Sequence, residues 1–439
     1  MKTIIKKAAL AAAIISAPLA ASATDLVGGG ASLPALAYVG DGFTMSTPEA
    51  RLTSDVLFSG FDPSFNQYEQ ATVSESQGSI FYAFQQANTP HTASYCQTGS
   101  GTGKSVLVGN LSANGDCRDY SVSPVGFSAP VNQSRPDFIG SDAPLNSGNV
   151  TDFVNGPNTA GDGIFQMPAL GALIALPVNL ATTSSKPDLS NQQVCEIFSG
   201  TTQDWSNVDS SLPSQPIHVV GREDTSGTVF AFTQYLAATC NGNFGIASDF
   251  FKTSESFSAS VTSSQNPNGP ADIYASYSDE PGNAGVVTEV ANTSWSISYA
   301  NLANVLDAGL NYAEVNSTDP ATVTSVNYTV NDLLPNTVLG NVDPNTGLPQ
   351  TQAVSGIPMS SPSTPDGCVN VIDPAAQLNQ GYPIAAVTNL LGYTANNADP
   401  QALRALAREV VNGSGSLPTG YVRLGTASAM DQLAGTCIN

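Results

Sequence analysis

Residues 98–105 read TGSGTGKS, a stretch that invites comparison with a nucleotide-binding P-loop. Such a loop needs Gly, four residues, then Gly-Lys-Ser/Thr. Gly103-Lys104-Ser105 supplies the end, but the first glycine is replaced by Thr98. The small residues still let backbone N–H groups approach an anion ahead of a helix. A second segment carries stronger chemistry: Val219-Val220-Gly221-Arg222-Glu223-Asp224-Thr225-Ser226-Gly227-Thr228 closes an apolar strand and opens a helical pattern. Arg222 is a bidentate partner for oxyanion oxygens. Ser226, Gly227 and Thr228 fall at the expected helix N-terminus, where free N–H groups and the helix dipole favour negative charge. Taken alone, Arg222 could equally pair with Glu223 or Asp224, with Ser226 a plain cap.

Two further segments are weak one at a time. Gly28-Gly29-Gly30-Ala31-Ser32-Leu33-Pro34 permits unusual backbone angles and places the Ser32 hydroxyl near free N–H groups. By itself it reads as a flexible leader. Ile139-Gly140-Ser141-Asp142-Ala143-Pro144-Leu145 sets an acid at the end of a short apolar strand, a position where Asp is usually a turn former.

In chain order, these segments resemble the phosphate-binding proteins of bacterial phosphate ABC transporters, and within that superfamily the DING branch. The matching pattern is a GGGA-S/T-LP start, a GSG-x-GK loop, a GSD-x-x-L strand end and an R-x-x-x-SGT helix start. Here these are Gly28–Pro34, Gly99–Lys104, Gly140–Leu145 and Arg222–Thr228. The segment Val194–Trp205 with Cys240, and GYPIAAVTNL at 381–390, match further parts of the family. Three features depart from it: the start Thr24-Asp25-Leu26-Val27, a longer 41–95 segment with an extra cysteine pair, and a poorly matching 312–370.

The resemblance implies an α/β, two-lobed periplasmic binding protein fold of type II with its ligand in the interlobe cleft. It implies inorganic phosphate as ligand and no cofactor, delivered to the membrane permease of a phosphate ABC transporter. The implied contacts are Ser32, Leu33 (backbone N–H), Ser100, Asp142, Arg222, Ser226, Gly227 and Thr228. Asp142 would accept the proton that phosphate retains at neutral pH. Sulfate has no such proton, so Asp142 would reject it. No catalytic residue is assigned. A secreted alkaline phosphatase or phosphodiesterase using the same pocket is the main alternative, since some relatives are described as alkaline phosphatases. Against it, His91 and His218 cannot build a two-metal site, no GxSxG elbow occurs, and no His lies in the four motifs. A surface adhesion role is the second alternative.

The elements that must position this chemistry can also be read. DFIGSDAPL (137–145), GALIALPVN (171–179) and PIHVVGRE (216–223) are strand-like; SNQQVCEIFSG (190–200) and SGTVFAFTQYLAATC (226–240) are helical. The alternation points to an α/β chain with mainly parallel sheets. ADPQALRALAREVVNG (398–413) predicts a helix capped by Asp399, with Pro400 in the first turn, Leu403, Leu406 and Val410 as its apolar stripe, and Gly413 ending it. The apolar run Met167–Val178 holds two prolines and is too short to span a membrane, so it reads as a buried strand or a domain crossover. The expected organisation is a signal peptide (1–23), a discontinuous lobe I (24–168 and 371–439, with a polar, irregular insertion at 41–95), and lobe II (169–311). Residues 312–370 are expected to be long loops or an edge hairpin.

The first 23 residues carry Lys2, Lys6 and Lys7, an apolar run and Ala21-Ser22-Ala23, all the parts of a secretory signal with no lipid-attachment cysteine. The expectation is a periplasmic or secreted monomer without membrane insertion. Cleavage leaves 416 residues, with 10 basic against 35 acidic side chains and a net charge of −25. That balance argues against nucleic acid as a partner. The six cysteines include no CxxC and no zinc spacing, so no metal is expected, and export favours disulfides. Of the 15 pairings possible, the sequential set Cys96–Cys117, Cys195–Cys240 and Cys368–Cys437 closes the most local loops.

Overall fold

The computed structural model describes residues 24–40, 78–110, 135–158, 163–181, 186–326, 328–354, 367–377 and 381–439. The expected signal peptide, residues 41–77 of the polar insertion, and Cys117 lie outside them.

The apolar run seen in the sequence is the middle of a single strand, Ile164–Asn179, buried along its length except at the last residue. Continuous rather than alternating hydrophobicity is what a strand covered on both faces requires. It organises a sheet ordered Thr92–Gln97, Asp25–Gly30, Phe138–Ser141, Ala385–Tyr393, Ile164–Asn179, Ser296–Ile297, His218–Arg222, Tyr277–Glu280. Its first part, up to Leu173, pairs antiparallel with Ala385–Tyr393. Its second part pairs antiparallel with Ala300–Asn301, Ser296–Ile297 and Tyr312–Val315. One strand therefore serves two sheet halves, so buried strand and crossover both describe it.

In the first half Asp25–Gly30 lies parallel to Thr92–Gln97 and Phe138–Ser141. In the second, His218–Arg222 lies parallel to Tyr277–Glu280 and Ser296–Ile297. The sheet is thus mixed rather than mainly parallel, because the crossover strand and the late strand run against the others. All four motifs sit where parallel strands end, the edge at which open α/β sheets bind ligands.

Residues 78–97 correct the expectation of an irregular insertion. Ser79 caps a helix, Ile80–Ala87, whose Ile80, Phe81 and Phe84 are buried. Tyr38 and Phe81 stack at 5.3 Å between centroids. The predicted late helix is Pro400–Asn412, with the Asp399 side chain accepting from Ala402 N and Leu403, Leu406 and Val410 buried. Cys195–Cys240 and Cys368–Cys437 are bonded as expected. Within 312–370 the hairpin is real: Thr337–Val342 pairs with Pro349–Ala353 as a separate two-stranded sheet. Tyr312–Val315, however, belongs to the main sheet. No helix among the described residues is long and apolar enough to cross a membrane.

Candidate functional site

The four motifs converge, and two glycines show how closely. Gly30 has φ +122°, and a Cβ there would lie 2.2 Å from the Gly140 carbonyl oxygen. The first motif is thereby pressed onto the third, with Ala31 N donating to the same oxygen at 2.9 Å. At Gly227 a Cβ would fall 2.3 Å from that of Asp142, so only glycine lets the arginine-bearing segment reach the GSD strand.

Gly99 caps helix Ser100–Val108, and Ser226 caps helix Gly227–Cys240 by accepting from Thr228 N and Val229 N. The Ser100 hydroxyl accepts from Asp142 N at 3.0 Å and from Gly227 N at 3.1 Å, joining the two sheet halves through one oxygen. Ser32, Leu33, Ser100, Asp142, Arg222, Ser226 and Thr228 are all buried. Two helix N-termini and four hydroxyls therefore accompany one acid and one guanidinium.

Arg222 donates from Nε and Nη2 to both carboxylate oxygens of Asp224, at 2.8 and 2.5 Å. The carboxylate also accepts from Gly282 N at 2.8 Å, the start of a further helix, Gly282–Asn292. Of the two acids that the sequence offers Arg222, Asp224 is the partner, and the fork fixes the guanidinium plane against the site. Asp142 is fully buried and accepts from the Thr388 hydroxyl. Burial pushes its carboxyl up to about 7, opposed by the Thr388 bond and by Arg222, with the charge of Glu255 adding to the rise.

Two participants, Asn283 and Thr388, lie outside the four motifs. Asn283 is buried and donates from Nδ2 to Ser32 Oγ at 3.0 Å and to Thr228 Oγ1 at 3.5 Å, while its Oδ1 accepts from Asn301 N. Asn283 and Ser32 are 251 positions apart in the chain. The small-residue helix start Gly282-Asn283-Ala284-Gly285 is the available clue. Thr388 is a polar residue inside a strand buried throughout, itself an anomaly that asks for a partner. Lys104 of the P-loop-like motif forms a 2.6 Å ion pair with Glu255. His91 lies 3.8 Å from Asp399, and His218 sits between Ser276 and Ser278, so neither joins the cluster.

Comparison with known proteins bears on the family and the fold. A family model described as a PBP superfamily domain matches residues 66–406. Alkaline phosphatase L of Pseudomonas aeruginosa (strain UCBPP-PA14) is 27% identical over 307 residues, 68% of this chain and 69% of that one. Phosphate-binding protein PstS3 of Mycobacterium bovis (strain BCG / Pasteur 1173P2) is 31% identical over 169 residues, 37% of this chain and 38% of the relative. Among solved structures, a high-affinity periplasmic phosphate-binding protein (PfluDING) determined with phosphate at pH 8.5 superposes with a TM-score of 0.56. It is 20% identical, with 94% of this chain and 92% of that one covered. At that identity the likeness is one of fold, and the fold is α/β and two-lobed.

Proposed function

Because the chain belongs to the PBP superfamily, we propose that it is an exported high-affinity binding protein for inorganic phosphate. It holds the anion between the lobes and hands it to the permease of a phosphate ABC transporter. The observation that carries this reading is a fully buried carboxyl, Asp142, set among donors at an anion-binding edge. A site for a proton-free oxyanion has no use for an acceptor there. Phosphate keeps at least one proton at neutral pH, so one ligand O–H can donate to Asp142 while the other oxygens accept from Arg222, the hydroxyls and the helix N-termini. Above pH 7, where Asp142 is ionised, sulfate would meet the carboxylate with no proton between them.

The roles follow from position. Arg222, held in plane by Asp224, supplies the full positive charge. Ser226, Gly227 and Thr228 supply the N-terminus of the long helix, and Ser100 that of the GSG helix. Ser32 and Leu33 N–H close the set from the first strand. Local dipoles of this kind let a chain of net charge −22 bind an anion. Hydrogen bonds to charged groups contribute roughly 1.5–3 kcal/mol each, so micromolar affinity or better, about −8 kcal/mol, is within reach of the set. Matching homologues with phosphate-binding names and the fold of the solved neighbours support the reading; an extracytoplasmic location and the permease partner belong to the proposal.

The name of the Pseudomonas relative favours a second reading, a phosphoester hydrolase on the same pocket. The chain's two histidines, both engaged elsewhere, leave Ser32, Ser100 and Ser226 without an imidazole base. Equilibrium dialysis of protein stripped of ligand by unfolding and refolding, against labelled phosphate, separates the readings when p-nitrophenyl phosphate is assayed on the same sample. Retention without turnover is expected. Turnover abolished by Arg222→Ala would make the protein an enzyme.

A further inference from the structure

The hairpin Thr337–Ala353 plays no part in the site described above, yet it touches both halves of the sheet. Its base belongs to the first half. Leu339 N donates to Leu145 O at 2.9 Å, three residues beyond Asp142, and Thr337 N donates to Val369 O. Val338, Val354 and Val369 are packed in one cluster with Val106, Ile139 and Leu391. Its tip belongs to the second half. The Gly347 carbonyl accepts from both Thr253 N and Thr253 Oγ1 at 2.8 Å, and the Thr346 carbonyl accepts from Asn241 Nδ2 at 3.1 Å. Gly347 has φ +72°, and a Cβ there would lie 2.1 Å from the Phe251 carbonyl, so the docking is close. At the base, the Leu339 side chain packs with Ala143, Phe230 and Val371.

Two residues beyond Thr253 is Glu255. Its carbonyl accepts from Ser226 N, the cap of helix Gly227–Cys240, at 2.9 Å. Its carboxylate takes Lys104 Nζ at 2.6 Å, with the lysine side chain 3% exposed and the glutamate 22%. Lys104 stands one turn into the helix whose first residue, Ser100, joins Asp142 to Gly227. Segment 253–255 is thus fixed by the hairpin tip, by the anion-site cap and by a cation from the opposite sheet half. For the halves to part, the Lys104–Glu255 pair must break and the hairpin must release its tip or its base.

We propose that Lys104 and Glu255, braced by the hairpin tip at Gly347, form a latch across the cleft that sets the rate at which bound phosphate leaves. They are positioning residues: they act by holding the Ser100 and Ser226 helix starts together, not by touching the ligand. The inference rests on the phosphate reading above. It assigns a task to the lysine that makes the sequence resemble a P-loop, and to a hairpin outside the four motifs.

The test is the release of labelled phosphate from loaded protein chased with excess unlabelled phosphate, with the association rate measured by stopped flow. Lys104→Met and Glu255→Gln are each expected to speed release at least about tenfold, the cost of one lost charged hydrogen bond. Association should change by less than about threefold, because an open cleft has already broken the pair. The double variant should release no faster than Lys104→Met alone, the non-additivity expected of direct partners. Thr253→Val, which removes one donor to Gly347 and leaves the ion pair intact, should speed release by a smaller factor, about threefold to tenfold. Release unchanged in Lys104→Met, or strictly additive effects in the double variant, would overturn the latch. If Lys104→Met does not fold, an unchanged release rate in both Glu255→Gln and Thr253→Val overturns it equally. A wild type that retains no phosphate would instead refute the functional reading itself.

Discussion

Asp142 should make the ligand-free protein less stable as pH rises, and its removal should make that visible. The carboxyl titrates at about 7 in the folded protein against 3.8 in its ordinary state. Between those values the folded chain holds a proton that the unfolded chain has released. Stability is therefore lost as pH rises from about 4 through 7, and the full penalty is present above 7. A rise of that size corresponds to about 4 kcal/mol. Between pH 5 and pH 8 the change attributable to this group is roughly 2.5 kcal/mol. Asp142→Asn keeps an oxygen for Thr388 and removes the titration. Urea unfolding of stripped wild type and variant at both pH values gives the comparison. Fixed costs of the amide and all other titrations cancel in the difference of differences. The variant should gain on the wild type by roughly 2.5 kcal/mol from pH 5 to pH 8, while losing its discrimination against sulfate. A difference that is flat in pH, or of opposite sign, would refute the claim that this acid is strained by burial. Such strain is what a binding site held ready for a ligand proton would carry.

Arg222→Ala should cost at least tenfold in phosphate affinity, from one lost charge-assisted bond or more. It should also destabilise the apo protein by about 3–5 kcal/mol, because Asp224 loses its cation in a site where the guanidinium is wholly buried; calorimetry and urea unfolding read the two effects separately. Ser100→Ala leaves Asp142 N and Gly227 N without their shared acceptor, at a cost of roughly 1–3 kcal/mol for each donor. Phosphate affinity should fall with it in titration calorimetry. Replacing Cys195 and Cys240 by serine opens a loop of sequence separation 45 and should lower unfolding stability by about 4 kcal/mol on the chain-entropy model, with phosphate affinity at low temperature little changed.

The anion site is legible in the sequence because each motif couples a backbone requirement to a side chain. A glycine that must meet another backbone, as at Gly30 and Gly227, and a cap such as Ser226 leave a local signature that needs no knowledge of the partner. Asp142, Arg222 and Ser100 follow from those signatures. Asn283 and Thr388 are not legible, since each is defined only by residues far away in the chain: Ser32 across 251 positions, Asp142 across 246. Local pattern likewise places the late helix and the crossover strand. It cannot say that the crossover, with antiparallel neighbours on both sides, makes the sheet mixed. The 78–97 region reads as irregular because a short helix of eight residues, Ile80–Ala87, is framed by polar chain. Lys104 shows the converse hazard: a residue inside a phosphate-like motif whose charge is spent on Glu255.

The most direct test of phosphate recognition at this site is titration calorimetry of the mature protein, stripped of ligand, with phosphate and then sulfate at pH 8, where Asp142 is ionised and phosphate still carries a proton. A dissociation constant of about 1 μM or below for phosphate, with no heat from sulfate, is the result that the Asp142–Arg222 arrangement predicts. Binding of phosphate only in the millimolar range, or equal binding of the two anions, would contradict it.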